Sequence, residues 1–410
     1  MSKKLHSGNL YWPTTMSGEA AYPGVQTDIQ TQTVIVGGGM SGIMCGYIFA
    51  KSGIPCVAVE RGAIADGSTS ANTGLLQFSN DIMLWELIEQ IGEHDAVAFY
   101  RACKTAIEQL ARAAGDIPAD VGFRRRSSLY FASSEQDLPK LNKEFEALNR
   151  SGFDVEYWQP RDIAARFPFS KPGAIVTHGD AEVNPYQFVH GLAGRAVQEG
   201  LQLYEHTDIV SHETGHDGKH RLLTADGYTL TCDQVVFAVG YEPEELKGKL
   251  VKAELNRSFV AVSAPQQDLS PWHERFMLWE TARPYLYMRT TVDGRVVIGG
   301  LDEESQAPIE GKHARQKRTE KLYKLIAAYF PSFDAPLEYE WSATFGESSD
   351  NLPFIGEDPH RRGVYYCLGY GGNGTVYSTI GSLLLRDLIA GYDNPLARIV
   401  GLERATLAKV

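Results

Sequence analysis

The clearest hydrophobic signal near the start of the chain is the β-branched run Thr33-Val34-Ile35-Val36, which predicts a short buried strand. Glycines follow at Gly37, Gly38, Gly39 and Gly42. Ile43 to Lys51 then carries small and apolar residues at helical spacing, Ser52-Gly53 stops that helix, and Pro55 to Val59 returns as a strand ending at Glu60. Together these make one βαβ opening. Within Asp81 to Ala114 the pattern is helical, with Leu84, Leu87, Ile88 and Ile91 on one face. A strand is expected over Phe123 to Ser133 and an amphipathic helix over Asp137 to Ser151. A turn over Gly179 to Pro185 leads into a helix over Tyr186 to Glu199, and a strand follows over Leu201 to Thr207. Gln234 to Gly240 reads as a buried strand ending on glycine, a third parallel strand supplied late to the first unit.

From 254 to 340 the pattern changes to strand-like pieces with interleaved aromatics: Phe276 to Trp279, Pro284 to Met288, and Arg295 to Ile298 after Asp293-Gly294. Asp-Gly between such runs signals a hairpin, so this block predicts an antiparallel sheet, followed by a helix over Lys312 to Tyr329. Near the end, a strand over Gly363 to Cys367 runs into the glycine-rich turn Gly369 to Thr375 and a helix from about Thr375 to Ala390.

The spacing at the first turn carries chemistry. Gly37 permits a tight bend, Gly39 lets a pyrophosphate approach the backbone, and Gly42 lets helix and strand pack closely. The helix N-terminus offers free N–H groups to phosphate. Glu60 lies 21 residues after Gly39, where an acid can take both ribose hydroxyls and would repel a 2′-phosphate. This set predicts a dinucleotide site. The hydroxyl-rich stretch from Gly67 to Leu76 and the second glycine turn before the Thr375 helix shift the expectation from NAD to flavin. A helix dipole there can stabilise the flavin's N1–C2=O edge on reduction.

Composition narrows the alternatives. The 410 residues carry 39 Lys plus Arg against 51 Asp plus Glu, a formal net charge of −12. Nucleic acid and anionic membrane are therefore unexpected partners. The run Arg124-Arg125-Arg126 reads as a solvated strand end. The five cysteines show neither CxxC nor metal spacing and read as buried thiols. With no apolar leader in residues 1–30 and no span-length apolar stretch, the expected location is cytoplasmic.

These motifs resemble the FAD-dependent D-amino-acid oxidase family in the broad sense, with its glycine, sarcosine and gamma-glutamylputrescine oxidases. The resemblance runs from about Thr31 to Ala390. It is carried by Val34 to Gly42, Glu60-Arg61, the Ser68 to Leu76 loop, Val183-Asn184-Pro185, Asp293-Gly294-Arg295 with Gly299-Gly300, Trp341, Asp350-xx-Pro353-x-Ile355-Gly356, and Gly371 to Gly374.

The resemblance implies an α/β (α+β overall) fold, in which a glutathione-reductase-like FAD-binding domain carries a mixed, largely antiparallel β-sheet substrate domain. The expected layout is an extension at 1–30, an FAD-binding domain from 31–110, 172–252 and 341–410, and a substrate domain from 111–171 and 253–340. The implied cofactor residues are Gly37, Gly39, Met40, Ser41, Gly42, Glu60, Arg61, Ser68, Thr69, Ser70, Asn72, Thr73, Gly74, Leu75, Leu76, Ile209, Gly240, Gly371, Gly372, Asn373, Gly374 and Thr375. The implied chemistry is hydride transfer from a C–H beside nitrogen to flavin N5, with hydrolysis of the resulting imine. The substrate would be a small amine or amino acid; the electron acceptor is left open.

Two departures from the family pattern matter. Phe345 stands where the amino-acid oxidases carry a carboxylate-gripping arginine, so an ordinary α-carboxylate clamp is missing. Ala343 falls near the cysteine that tethers flavin in the monomeric sarcosine oxidases, so the FAD is expected to be non-covalent. Arg283 and Arg289 are the alternative candidates for a carboxylate. Tyr285 and Tyr287 share one strand face, either pocket or core, and Tyr370 is a candidate wall of the flavin turn. Oxidation of a 2-hydroxy acid and a non-catalytic flavin subunit are the alternative readings.

Overall fold

The computed structural model describes residues 4–241, 253–305 and 307–409. Two sheets organise them. The first has Ile29–Val36 at its centre, parallel to Cys56–Val59 on one side and Thr229–Phe237 on the other. Gln202–Tyr204 and Arg361–Leu368 extend it in parallel, and Phe354–Asp358 closes one edge antiparallel. The expected late third strand is thus present, with Val235 opposite Val34. The helices Met40–Lys51 and Gly374–Ile389 pack against each other and against this sheet. Most residues of both are buried, as their apolar composition requires.

The second sheet is largely antiparallel and runs His6–Asn9, Leu337–Ser348, Ala253–Ser263, Val296–Glu304, Tyr287–Thr290, Met277–Glu280, Arg124–Phe131, Ala174–Glu182, Leu75–Leu76. Met277–Glu280 alone pairs in parallel, with Arg124–Phe131. The Asp293-Gly294 hairpin forms as expected, with Thr291 N–H donating to the Arg295 carbonyl at 2.9 Å. The helix over Lys312–Tyr329 has the expected bounds.

Several boundaries differ from expectation. Ala174–Glu182 and the stretch 341–348 lie in the second sheet. The boundary expected at 252 lies outside the described residues. The helical stretch from Asp81 is two helices, Leu84–Ile91 and Glu93–Asp116, broken at Gly92 with φ +87°. Instead of standing apart, residues 6–9 pair with the backbone at 340–343, and Trp12 is buried. The arginine run opens its strand as expected, and each member meets an acid: Asp120, Glu108 and Glu182.

All five cysteines are buried and free. Among the described residues no helix is long and apolar enough to cross a membrane. The Asp350 motif serves the C-terminal end: Arg404 donates to both Asp350 oxygens at 2.6 and 2.7 Å, in a pair that is 2% exposed on each side.

Candidate active site

The first glycine turn is built as its sequence demands. Gly37 has φ +119°, and a Cβ there would stand 2.4 Å from the Ala238 carbonyl oxygen. A Cβ on Gly42 would stand 1.8 Å from the Gly37 carbonyl oxygen, so no side chain can replace that hydrogen while the helix stays on its strand. Glu60 is fixed at the strand end. Gly38 N–H donates to its Oε2 at 2.7 Å and Gly62 N–H to its Oε1 at 2.8 Å, and each oxygen keeps a lone pair for a ribose hydroxyl. Thr207 N–H donates to the Glu60 carbonyl at 2.8 Å, which brings Ile209, two residues on, to the same end of the sheet. Arg61 is exposed. Gly240 has φ +61° and open space around it.

The hydroxyl-rich loop connects this turn to a cavity. It is not simply a loop: Ser68–Ala71 is a short helix and Leu75–Leu76 pairs with Glu182 and Ala181. Met40 N–H, in the first turn of the long helix, donates to Thr69 Oγ1 at 3.0 Å. Ser41 and Ser378 hydroxyls are 2.8 Å apart and link the starts of the helices Met40–Lys51 and Gly374–Ile389. Ser70 Oγ donates to the Gly67 carbonyl at 2.8 Å. Asn72 Oδ1 accepts from Gly74 N–H at 2.7 Å, while the Ala71 and Asn72 carbonyls accept from the Trp341 and Trp12 indoles. A Cβ on Gly74 would stand 2.2 Å from the Val183 carbonyl oxygen.

The cavity holds about 1130 Å³ of atom-free space, part of it open to solvent. One wall is Ser68, Ala71 to Thr73, Leu75 and Gln77, continued by Ser79, Asn80 and Asp81. Another is the turn Gly371 to Thr375. The third comes from the antiparallel sheet: Ser258, Val260, Trp279, Tyr285, Tyr287, Asp302 and Ala343 to Phe345, with Tyr241 beside them. Gly37 to Gly42 and Glu60 are outside this lining, so the expected cofactor residues fall into a nucleotide end and a cavity end.

At the cavity end, Asp81 Oδ2 accepts from Gly372 N–H at 2.9 Å. Asn373 turns its amide away, donating to the Gln77 carbonyl at 2.7 Å and to Asn80 Oδ1 at 3.1 Å. That side chain anchors the turn. Ser68 Oγ and Thr344 Oγ1 are buried with no hydrogen-bond partner among the described residues, and both residues line the cavity. Buried hydroxyls left open in this way suit a polar ring system placed there. The glycine turn, the acid at Glu60 and these hydroxyls therefore fit FAD.

Both candidate tyrosines line the cavity, with ring centroids 5.7 Å apart. Gly299 makes room for Tyr287, since a Cβ there would stand 2.2 Å from its ring. Burial pushes both phenols up from their ordinary range, so they act as neutral hydrogen-bonding groups near neutral pH.

Two expectations are corrected. Arg289 does not line the cavity. It is 2% exposed and donates to the carbonyls of Thr73 at 2.7 Å, Val183 at 2.8 Å and Thr290 at 3.1 Å, beside the buried Glu182. A guanidinium this far from water is held where carbonyls and a carboxylate surround it, so Arg289 braces the hydroxyl-rich loop. Tyr370 is also outside the lining; it packs edge-on against Phe354 and Tyr241 and under Gly346. Tyr241 takes the wall position. Arg283 is exposed near the rim, over the Tyr285 ring at 4.7 Å, and donates to the Asp81 carbonyl at 3.0 Å.

The sequence reading missed Asp81, Ser258, Trp279 and Asp302. Asp302 lies just beyond Gly299-Gly300, and Asp81 opens the helical stretch, so each had a neighbouring signal. Burial raises the Asp302 carboxyl to about 6, with Glu347 and Asp81 adding to the shift.

Residues 32–388 match the DAO family, described as FAD dependent oxidoreductase. Glycine oxidase of Geobacillus kaustophilus (strain HTA426) is 26% identical over 383 residues, 87% of this chain and 92% of that protein. Its crystal structure superposes with a TM-score of 0.77 at 22% identity, covering 92% of this chain and 99% of that one. A Bacillus subtilis (strain 168) protein whose name places it provisionally among Rieske 2Fe-2S iron-sulfur proteins is 24% identical over 399 residues, 95% of this chain and 74% of that protein.

Proposed function

Because the chain belongs to the DAO family of FAD-dependent oxidoreductases, we propose that it oxidises the C–N bond of a small amine that lacks an α-carboxylate. FAD, when bound, supplies the hydride acceptor at N5, and the imine product hydrolyses in water. One observation carries the choice of substrate: the described cavity lining holds two carboxylates, Asp81 and Asp302, and no Lys, Arg or His. Phe345 lines the wall where a clamp would stand, and Arg289 is occupied elsewhere. A 2-hydroxy acid would bring a carboxylate against this wall, so the same observation disfavours it.

The residues of the chain serve as binding and orienting groups. Tyr285, Tyr287 and Trp279 offer aromatic faces to methylene groups and to a cation. An amine loses hydride from its neutral form, its ammonium proton first passing to solvent, so no protein base is required. Ala343, and the lack of cysteine and histidine in the described lining, support non-covalent FAD. Acid precipitation should then leave all the flavin in the supernatant. The deciding experiment is anaerobic mixing of the yellow protein with amines, amino acids and 2-hydroxy acids. Bleaching by amines without an α-carboxylate supports the proposal; bleaching only by α-amino or 2-hydroxy acids, or by nothing, rejects it.

A further inference from the structure

The cavity pairs an excess of negative charge with buried polar atoms left open. Asp302 has two carboxylates, Asp81 and Glu347, and one guanidinium, Arg283, close enough to act on its ionisation. Glu347 is half-buried and takes an Asn256 amide at 2.6 Å. Arg283 spends one N–H on the Asp81 carbonyl and lies exposed at the rim. The charges do not balance within this group.

The open atoms say more. Asp302 Oδ1 is buried without a partner. So are the Trp279 indole N–H, in a residue 6% exposed, and the hydroxyl of Ser258, 9% exposed. All three residues line the cavity. Ser258 lies beside both Asp302 and Tyr287 yet makes no well-aligned bond to either. An ionised carboxylate only accepts, and an indole N–H only donates. The ligand must therefore present a charged donor and, elsewhere, an acceptor.

A protonated monoamine has no acceptor, and a neutral one brings no charge. An amino acid adds a carboxylate to a wall that already holds two. A diamine with one end protonated offers both requirements: an ammonium for the carboxylates and a free-base lone pair for an N–H donor.

We infer that the substrate carries a second cationic nitrogen, as a short α,ω-diamine or polyamine does, held by Asp302 with Asp81 while the other nitrogen is oxidised, Glu347 adding negative charge from outside the lining. This rests on the amine-oxidising reading above.

The test uses the FAD-loaded enzyme and anaerobic flavin reduction. A series of short α,ω-diamines is compared with monoamines and ω-amino acids of matched chain length. We expect kcat/KM for the best diamine to exceed that of its matched monoamine by about tenfold or more, and that of the ω-amino acid by more again. A smaller margin, or preference for the monoamine or amino acid, overturns this inference and leaves amine oxidation standing. No reduction by any amine overturns amine oxidation itself, and the inference with it. Asp302→Asn, with its flavin spectrum retained, should bring diamine and monoamine to within about threefold. If that variant does not hold FAD, Glu347→Gln should narrow the margin in the same direction. An undiminished margin in the variant that holds FAD overturns the assignment of the cation to these carboxylates.

Discussion

Asp81 Oδ2 accepts the backbone N–H of Gly372 at 2.9 Å, and so ties the loop before the Leu84–Ile91 helix to the glycine turn before Gly374–Ile389. A Cβ on Gly372 would stand 2.6 Å from that oxygen, so the tie requires glycine. Asp81→Ala removes a hydrogen bond to a charged acceptor, a contribution of about 1.5–3 kcal/mol. We expect the FAD dissociation constant to rise by about tenfold or more, measured by quenching of flavin fluorescence on titration into the apoprotein.

Gly42→Ala tests the nucleotide end. With the Gly37 carbonyl oxygen 1.8 Å from the added carbon, the Met40–Lys51 helix must move off its strand. Purified protein should carry little flavin, read as the ratio of absorbance near 450 nm to that near 280 nm, both about where oxidised flavin and protein absorb.

Arg289→Met separates bracing from substrate contact. It removes the Arg289 donor from three carbonyls and leaves Glu182 with Arg126 as its remaining cationic partner among the described residues. Breaking such a buried pair costs about 3–5 kcal/mol, to be measured as a lowered denaturant midpoint. The KM of the flavin-loaded fraction should stay within about twofold of wild type, because the group does not face the cavity.

Asp302 gives the site a pH dependence. Burial raises its carboxyl to about 6, so it is neutral below that pH and negative above it. The neutral form cannot hold a cation. KM for a cationic amine should therefore fall as pH rises through about 6, and Asp302→Asn should flatten that limb. For folding the sign is opposite: a raised carboxyl favours the native state below its ordinary value of 3.8, and that contribution is lost as pH rises through about 6.

The nucleotide end was legible because local rules dictate it. Val34 and Ile35 must be buried, Gly42 must lack a side chain, and Glu60 must follow at the strand end. The cavity was less legible because its residues converge from both sheets. Tyr285 and Tyr287 both line the cavity, although the strand begins only at Tyr287 and strand alternation from there extends the same parity to Arg289, which lies beside Glu182, more than 100 positions away in sequence. Asp302 was hidden by a break in the pattern. Gly300 and Leu301 have φ of +138° and +59°, and the ladder slips between Arg257 and Phe259, so alternation from Val296 does not carry through. The role of Leu75-Leu76 depended on pairing with Ala181 and Glu182, which no local signal announces.

The pairing of residues 6–9 with the strand Leu337–Ser348 bears on the solution behaviour of the molecule as well as on its fold. That strand is twelve residues long and, without its four-residue partner, would be an outer strand with open backbone donors and acceptors next to the wall that carries Ala343. Such an open ribbon templates strand addition from other chains. The short N-terminal strand covers the backbone at 340–343 of that ribbon, in the same strand whose side chains shape the cavity.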